Sequence, residues 1–253
     1  MTDTSRYTVD ATETSLAVLE TLVASEDPLG VTAVAETVGV SKGVAHNHLS
    51  TLCTNGYVTK NDGTYSPSLQ LLSMGSRTRD RHAIYEAAKH QVNNLATATG
   101  ETATLFVNEN GEGVPIHIAE TPDGWSPPFH EGSRIPLHLT APGKAILSSL
   151  PEENANTILE THDLVSSTDA TMTDRSELVS QLQRIRDDGI SFCREEHYEG
   201  IIGVAAPIST ATDTLTAAIG VCGPATRLNG RFLEEDITGQ VLSTTKSVYV
   251  NLA

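Results

Sequence analysis

Lys42, His46, Asn47, His48 and Ser50 lie close together in the chain, and hydrogen-bonding side chains at this density suit contact with nucleic-acid grooves. An amide such as Asn47 pairs with adenine in the major groove, while Lys42 neutralises phosphate. Each histidine also has a plainer reading, packing at a helix edge. A second group, Glu195, Glu196, His197 and Glu199, has metal-ligand residue types. On a strand end, however, alternate residues point apart and do not readily converge on one ion. A solvated acidic turn is the favoured reading, and no metal is expected. Cys53, Cys193 and Cys222 lack metal-type spacing, and their odd number argues against a disulfide framework. Pro142-Gly143-Lys144-Ala145 lacks the earlier glycine and the following hydroxyl residue of a phosphate loop. There is no G-x-S-x-G elbow, and no nucleophile is set beside a base. Neither catalysis nor a cofactor is expected. An enzyme remains a second class, distinguished by turnover of a bound metabolite.

The elements that must position the first group read as helix, turn, helix and hairpin. Val31, Val34, Ala35 and Val38 fall at helical spacing and make one apolar face. Gly39 breaks that helix, and Ser41 stands as N-cap of a second, whose apolar members are Val44, Ala45, Leu49 and Leu52. Asn55-Gly56 closes it. Tyr57-Val58-Thr59 and Thr64-Tyr65-Ser66 then flank Asn61-Asp62-Gly63 as a hairpin that carries Lys60. Over 11–75 this is the outline of a winged helix-turn-helix, although two helices of an ordinary core hairpin share its first part. Leu16, Leu19, Leu22 and Val23 mark an amphipathic helix ahead of it, after a loose polar lead over 1–10. Leu69, Leu71, Leu72 and Met74 begin a connector into a linker helix over 76–98. Arg77, Arg79, Arg81 and Lys89 there serve as a solvated face, a phosphate contact or a dimer contact.

After Gly100 the chain changes character. Strands are expected at 102–107, 114–119, 190–194, 202–208 and 215–221, with helices at 143–149, 152–160, 175–187 and 234–251. A loop with the only tryptophan, Trp125-Ser126-Pro127-Pro128-Phe129, interrupts them. This order fits a mixed α+β domain over 99–253.

Charge is the other strong signal. The chain has 253 residues, room for two cores, and a formal net charge of −16. That sign opposes DNA binding in dilute buffer. Segment 11–75 carries only Lys42 and Lys60 against Glu13, Glu20, Glu26, Asp27, Glu36 and Asp62. Either the helix-turn-helix does not bind DNA, or the protein works in high salt. Few lysines and aromatics with abundant Asp, Glu, Thr and Ala resemble proteins of salt-accumulating halophiles, where repulsion is screened within a few Å. The second explanation is favoured. No apolar run spans a bilayer, and the start, MTDTSRYTVD, has no basic and apolar leader. A cytoplasmic protein without a membrane partner is expected.

Several segments resemble the IclR family of transcription regulators, in order, from about residue 14 onward. GVSKGVAHNHLSTL is similar to the family's recognition helix, and GYVTKNDGTYSPSLQLLSMG to its wing and exit. IPLHLTAPGKAIL resembles the segment at the mouth of the effector pocket. DDGISFCREEHYEGIIGVAAPI and AAIGVCGPATRL resemble the two signature strands. The resemblance implies a winged-helix domain, a linker helix and a GAF-like effector domain, in a homodimer or dimer of dimers. It implies double-stranded operator DNA and a small metabolite (an organic, sugar or aromatic acid) as partners. The alternative is a small-molecule sensor whose helix-turn-helix no longer binds DNA.

Ser41, Lys42, Gly43, His46, Asn47, His48 and Lys60 match the DNA-contacting stretch, though the family often has Ser and Thr at Gly43 and Val44, and Arg at Asn47. Cys193, Gly203, Gly220 and Cys222 match pocket positions that are an acidic residue, a cysteine and two serines in members binding small keto acids. The glycines are expected to open volume for a somewhat larger ligand, with Ala141 and Pro142 on the opposite loop. Trp125, Pro128 and Phe129 suit an apolar lid or plain core packing. The alignment would set Cys193 and Cys222 on neighbouring strands, as a redox pair or as two small hydrophobes.

Overall fold

A computed structural model describes residues 8–208 and 216–252. Most of the lead expected over 1–10, and residue 215 of the last expected strand, lie outside the described residues. The chain divides into two compact units, Met1–Arg81 and His82–Ala253.

In the first unit, α1 (Asp10–Ala24), α2 (Val31–Val38) and α3 (Lys42–Thr54) surround a core of Val18, Leu22, Val34, Leu49, Val58 and Tyr65. Gly39 ends α2 at φ 77°, a conformation that favours glycine, and donates its N–H to Ala35 O. Ser41 then caps α3, its Oγ accepting from Val44 N at 3.3 Å. A three-stranded sheet of order β1-β3-β2 closes the unit, from β1 (Leu29–Gly30), β2 (Val58–Asn61) and β3 (Thr64–Pro67). Asn61 pairs with Thr64, so the β2–β3 loop is the two residues Asp62 (φ 45°) and Gly63 (φ 84°), the positive pair that a tight hairpin requires.

Of the apolar members expected in the second helix, Val44 is exposed. Ala45, Leu49 and Leu52 already share the inward stripe, and residue 44 falls to its side at 3.6 residues per turn.

The single linker helix expected over 76–98 is two helices, α4 (Gln70–Arg79) and α5 (Ala83–Thr99), with Asp80 to His82 between them. Within its own unit α4 buries no residue, and its Leu72 and Met74, with Leu69 just before it, are exposed.

The second unit is α+β, as expected. Its six-stranded antiparallel sheet runs β6-β5-β4-β9-β8-β7. The strands are β4 (Thr102–Glu109), β5 (Glu112–Ala119), β6 (Ile135–Pro136), β7 (Ser191–Arg194), β8 (Ile201–Ile208) and β9 (Ala217–Pro224). Both faces are covered, which explains why β8 and β9 read as continuous apolar runs rather than as alternation. On one face α5 and α9 (Thr238–Leu252) pack Ile84, Ala88, Val92, Leu95, Val241 and Val248 against Leu105, Val204 and Ile219. On the other lie α6 (Ala141–Ser149) and α8 (Arg175–Asp188), with Ile146, Leu147, Leu178 and Leu182 over Phe106, Ala205 and Ala218. α7 (Glu152–Thr161) flanks them, a 3-10 turn (Leu137–Leu139) leads into α6, and a π-helical stretch (Phe232–Ile237) leads into α9.

Gly143 is the tightest point of this arrangement, since a Cβ there would stand 2.1 Å from Leu137 O. Gly143→Ala must push α6 off its lead-in, and overpacking of this kind costs about 1–3 kcal/mol. A lowered melting temperature and raised urea sensitivity are the expected outcome in thermal and chemical denaturation.

Candidate DNA-facing helix and ligand cavity

The exposed side of α3 holds Lys42, Gly43, Val44, His46, Asn47, Ser50 and Thr51. Ser41 stands at its head as the cap, and Lys60 lies on β2 with its Nζ 5.2 Å from the centre of the Tyr65 ring. His48 does not share this outward face. It is half-buried, its Nδ1 2.8 Å from Ser15 Oγ on α1, so it ties two helices of the unit together. Of the two readings of His48 made from sequence, this geometry is the packing one.

In the second unit, Trp125, Phe129, Ala141, Pro142, Cys193, Gly203, Gly220 and Cys222 all line one cavity. The space between these side chains is about 450 Å³ including open solvent at the mouth, of which about 40 Å³ is room that water-sized groups can occupy. Register explains the floor. Cys193 pairs with Gly203, and Gly203 with Cys222, so these three stand in one row across β7, β8 and β9. Gly220 and Thr104 sit side by side in the next row toward β4. The N-terminus of α6 forms another wall through Thr140, Ala141 and Pro142, with Thr140 Oγ1 accepting from Gly143 N at 3.0 Å. Pro128, grouped with the lid from sequence, is exposed and does not line the cavity.

The two glycines differ. A Cβ on Gly203 would meet Ala141 Cβ at 3.4 Å, ordinary contact, so its absence does leave space. A Cβ on Gly220 would lie 2.9 Å from Pro142 Cγ and 3.0 Å from Val204 O. Gly220 therefore does not enlarge the cavity as expected from sequence; it lets α6 settle onto β9.

Cys193 and Cys222 are not on neighbouring strands, because β8 runs between them. Two strand spacings separate them by roughly 10 Å, beyond the reach of a disulfide. Burial pushes the Cys193 thiol up to about 11 and the Cys222 thiol up to about 12. Cys193 Sγ donates to Leu139 O at 3.2 Å. Both thiols stay protonated at neutral pH and act as small polarisable wall groups, which removes the basis of a redox pair.

Sequence reasoning missed part of the lining: Thr104, Phe106, Thr140, His197, Tyr198, Ile201 and Val221. His197 was read as part of an acidic turn and Tyr198 was not singled out, yet both line the cavity. Trp125 lies 5.5 Å from Tyr198, and His197 lies 4.0 Å from Tyr198 between ring centres. Phe129 and His197 are within 20° of parallel at 6.4 Å, and Phe129 meets Phe106 edge-on at 6.1 Å. The acidic cluster disperses: Glu196 turns inward onto Lys144, while Glu195 and Glu199 are exposed. Among the described residues no group of three or more His, Cys, Asp or Glu is placed to hold a metal ion. Among the described residues, none of the cavity's lining side chains is Asp, Glu, Lys or Arg. An interior of rings, thiols and hydroxyls, with the positive end of the α6 dipole at one wall, can bind a flat apolar body bearing one negative end.

Burial, with His138 adding to it, pulls His197 down from 6.5 to about 4. Its imidazole is therefore neutral in the folded chain at pH values where the unfolded chain has bound the proton. The corresponding stability is fully present above about pH 6.5 and is lost as pH falls toward about 4. Urea unfolding across this range is expected to show a shallower acid loss for His197→Phe than for the unaltered chain. An equal slope in both would mean that His197 is not the buried neutral group.

Comparison with known proteins bears on both units. The family model described as IclR helix-turn-helix domain matches residues 11–62, and the model described as bacterial transcriptional regulator IclR C-terminal matches residues 77–249. The glycerol operon regulatory protein of Streptomyces griseus is 31% identical over 222 residues, covering 87% of each chain. A protein of Halobacterium salinarum described as "Probable HTH-type transcriptional regulator ArcR" is 26% identical over 217 residues, covering 84% of this chain and 82% of that one. The crystal structure of an IclR homolog complexed with 4-hydroxybenzoate, from Microbacterium hydrocarbonoxydans, has a TM-score of 0.81 at 17% identity, covering 96% of this chain and 98% of that one. A match of both family models, over most of the chain, makes this protein a member of the IclR family of transcriptional regulators.

Proposed function

We propose that this chain is a cytoplasmic regulator of catabolic genes that binds operator DNA through α3 and releases or gains it on binding a small aromatic acid. The observation that carries the reading is the convergence of an aromatic, uncharged cavity beneath the α6 N-terminus, in a chain whose other unit presents a capped polar helix beside a hairpin wing. The cavity's five rings favour an aromatic body over a sugar acid, whose hydroxyls would go unpaired there. The glycerol operon and 4-hydroxybenzoate named for two similar proteins support a link to catabolism.

The DNA contacts are assigned to Lys42, Gly43, His46 and Asn47, with Ser50 and Thr51 on the same face, Ser41 holding the helix end and Lys60 on the wing. A homodimer, or a dimer of dimers, would set two such helices in successive major grooves of a pseudo-palindromic operator. The net charge of −16 supports work in high salt, where affinity leans on hydrogen bonds and shape rather than counterion release. The likeness to a Halobacterium salinarum protein supports the same setting. The acidity of 11–75 equally supports a second reading, a sensor whose helix-turn-helix no longer binds DNA.

The test is binding to the chain's own upstream DNA in molar KCl, against scrambled DNA of equal length. Specific binding is expected, and 4-hydroxybenzoate or a related aromatic acid is expected to change it. Asn47→Ala should lose about 1–3 kcal/mol of discrimination, relaxing preference at one base position. Absence of specific binding at any salt, with or without acid, would favour the sensor reading.

A further inference from the structure

Lys144 and Glu196 form an ion pair that takes no direct part in the cavity lining. Lys144, within α6, is completely buried, and its Nζ donates to the two carboxylate oxygens of Glu196 at 2.6 and 2.8 Å. Gln181 Oε1 on α8 stands at 3.5 Å from the same nitrogen. Glu196 is nearly as buried, and its Oε1 also accepts from Arg194 N at 3.2 Å. Taking two charges out of water is costly, and apolar residues of similar volume often hold a core equally well or better. Stability is therefore a poor account of the pair. What a contact to both oxygens supplies is position, since it fixes Glu196 against α6 from two atoms at once.

The chain neighbours of the two residues are cavity walls. Two positions before Lys144 stands Pro142, and directly after Glu196 come His197 and Tyr198. The turn carrying those rings is held by many bonds. Glu195 adopts φ 63°, unusual for a side chain with a Cβ, and its Oε2 accepts from Gly200 N at 2.7 Å. Thr168 Oγ1 donates to Glu195 O at 2.7 Å, Thr171 Oγ1 to Glu196 O at 2.7 Å, and Ser167 Oγ to His197 O at 2.8 Å. These bonds fasten the turn to itself and to the loop between α7 and α8. The ion pair fastens it to α6.

We propose that Lys144 and Glu196 are positioning residues for ligand selection: their buried contact sets the distance between the α6 wall and the His197–Tyr198 wall. This rests on the reading of the cavity as the effector site. A ligand spanning from the helix N-terminus to the rings then finds a gap of fixed width, and loosening the pair widens the tolerance at the expense of fit.

Trp125 makes the test independent of any ligand, because it is the only tryptophan and its ring lies against Tyr198. Three variants of the full chain are compared: Glu196→Gln, the apolar double variant Lys144→Met with Glu196→Leu, and Arg175→Ala. The last removes the exposed Arg175–Glu160 pair and is the control. The double variant is expected to melt near the unaltered temperature yet show red-shifted Trp125 emission and stronger acrylamide quenching. Its affinity for 4-hydroxybenzoate, the probe, should fall about tenfold or more. Glu196→Gln should move the same way and decides the matter if the double variant does not fold. Arg175→Ala should change neither readout. Unchanged emission in Glu196→Gln overturns the proposal, as does unchanged probe affinity in a variant whose emission has moved. If the unaltered chain does not bind the probe while the variants still shift Trp125, the ligand class has failed and the positioning of the wall stands.

Discussion

The cavity exists because α6 lies closer to the sheet and to its own lead-in than side chains normally allow. Two positions without a Cβ permit this, Gly143 against the Leu137 carbonyl and Gly220 against Pro142. Added atoms at either would press on backbone or on a rigid ring, neither of which yields cheaply. With α6 seated, its first residues overhang the row Cys193, Gly203, Cys222, and the missing side chain at Gly203 leaves a depression where a larger residue would have filled the core. Position of the helix, emptiness of the floor and orientation of the dipole all follow from one close approach.

Charge is distributed to match. The chain as a whole is strongly acidic, but among the described residues the cavity lining carries no acidic side chain. Where carboxylates enter the second unit's interior they meet a cation, Glu196 with Lys144 and Glu101 with Arg227 at 2.8 Å. A carboxylate-bearing ligand therefore meets no like charge inside. The two kinds of site also respond differently to salt. Exposed charges are screened within a few Å at molar ionic strength, while interactions in the buried cavity are screened far less. High salt would quiet the acidic surface without weakening the field at the α6 N-terminus.

Much of this was legible in sequence where local rules decide. Gly39, Ser41 and the Asp62-Gly63 turn announce their conformations by residue type, and the period-3.6 stripe of α2 follows its apolar residues. What failed was non-local. Cys193 and Cys222 were set on adjacent strands because nothing in either segment reveals that β8 pairs between them. His197 was lost in an acidic stretch because composition describes a turn's solvation, not its direction. Lys144 was weighed only as a phosphate-loop residue and rejected. Its burial depends on Glu196, 52 positions away in the chain, which no local pattern reveals.

The sheet also limits how a bound ligand can influence the rest of the chain. α5, the first helix of the second unit, packs Val92 and Leu95 on the face that Leu105 and Ile219 present. The cavity uses the opposite face of the same strands, through Thr104, Phe106, Gly220 and Cys222. A ligand effect must therefore pass through close-packed strands, which shift little, or travel round the sheet. One route round it is bonded throughout: His117 on β5 stands 2.8 Å from Asn93 Oδ1 of α5 and 3.3 Å from Glu131 Oε1, two residues beyond Phe129. Coupling of about 1–3 kcal/mol, the usual size between distant sites, needs only that the ligand favour one arrangement of these contacts over another. A ligand that fitted both arrangements equally would bind and change nothing. Selectivity at the cavity wall and any response at α5 would then be the same differential affinity, read at two ends of one unit.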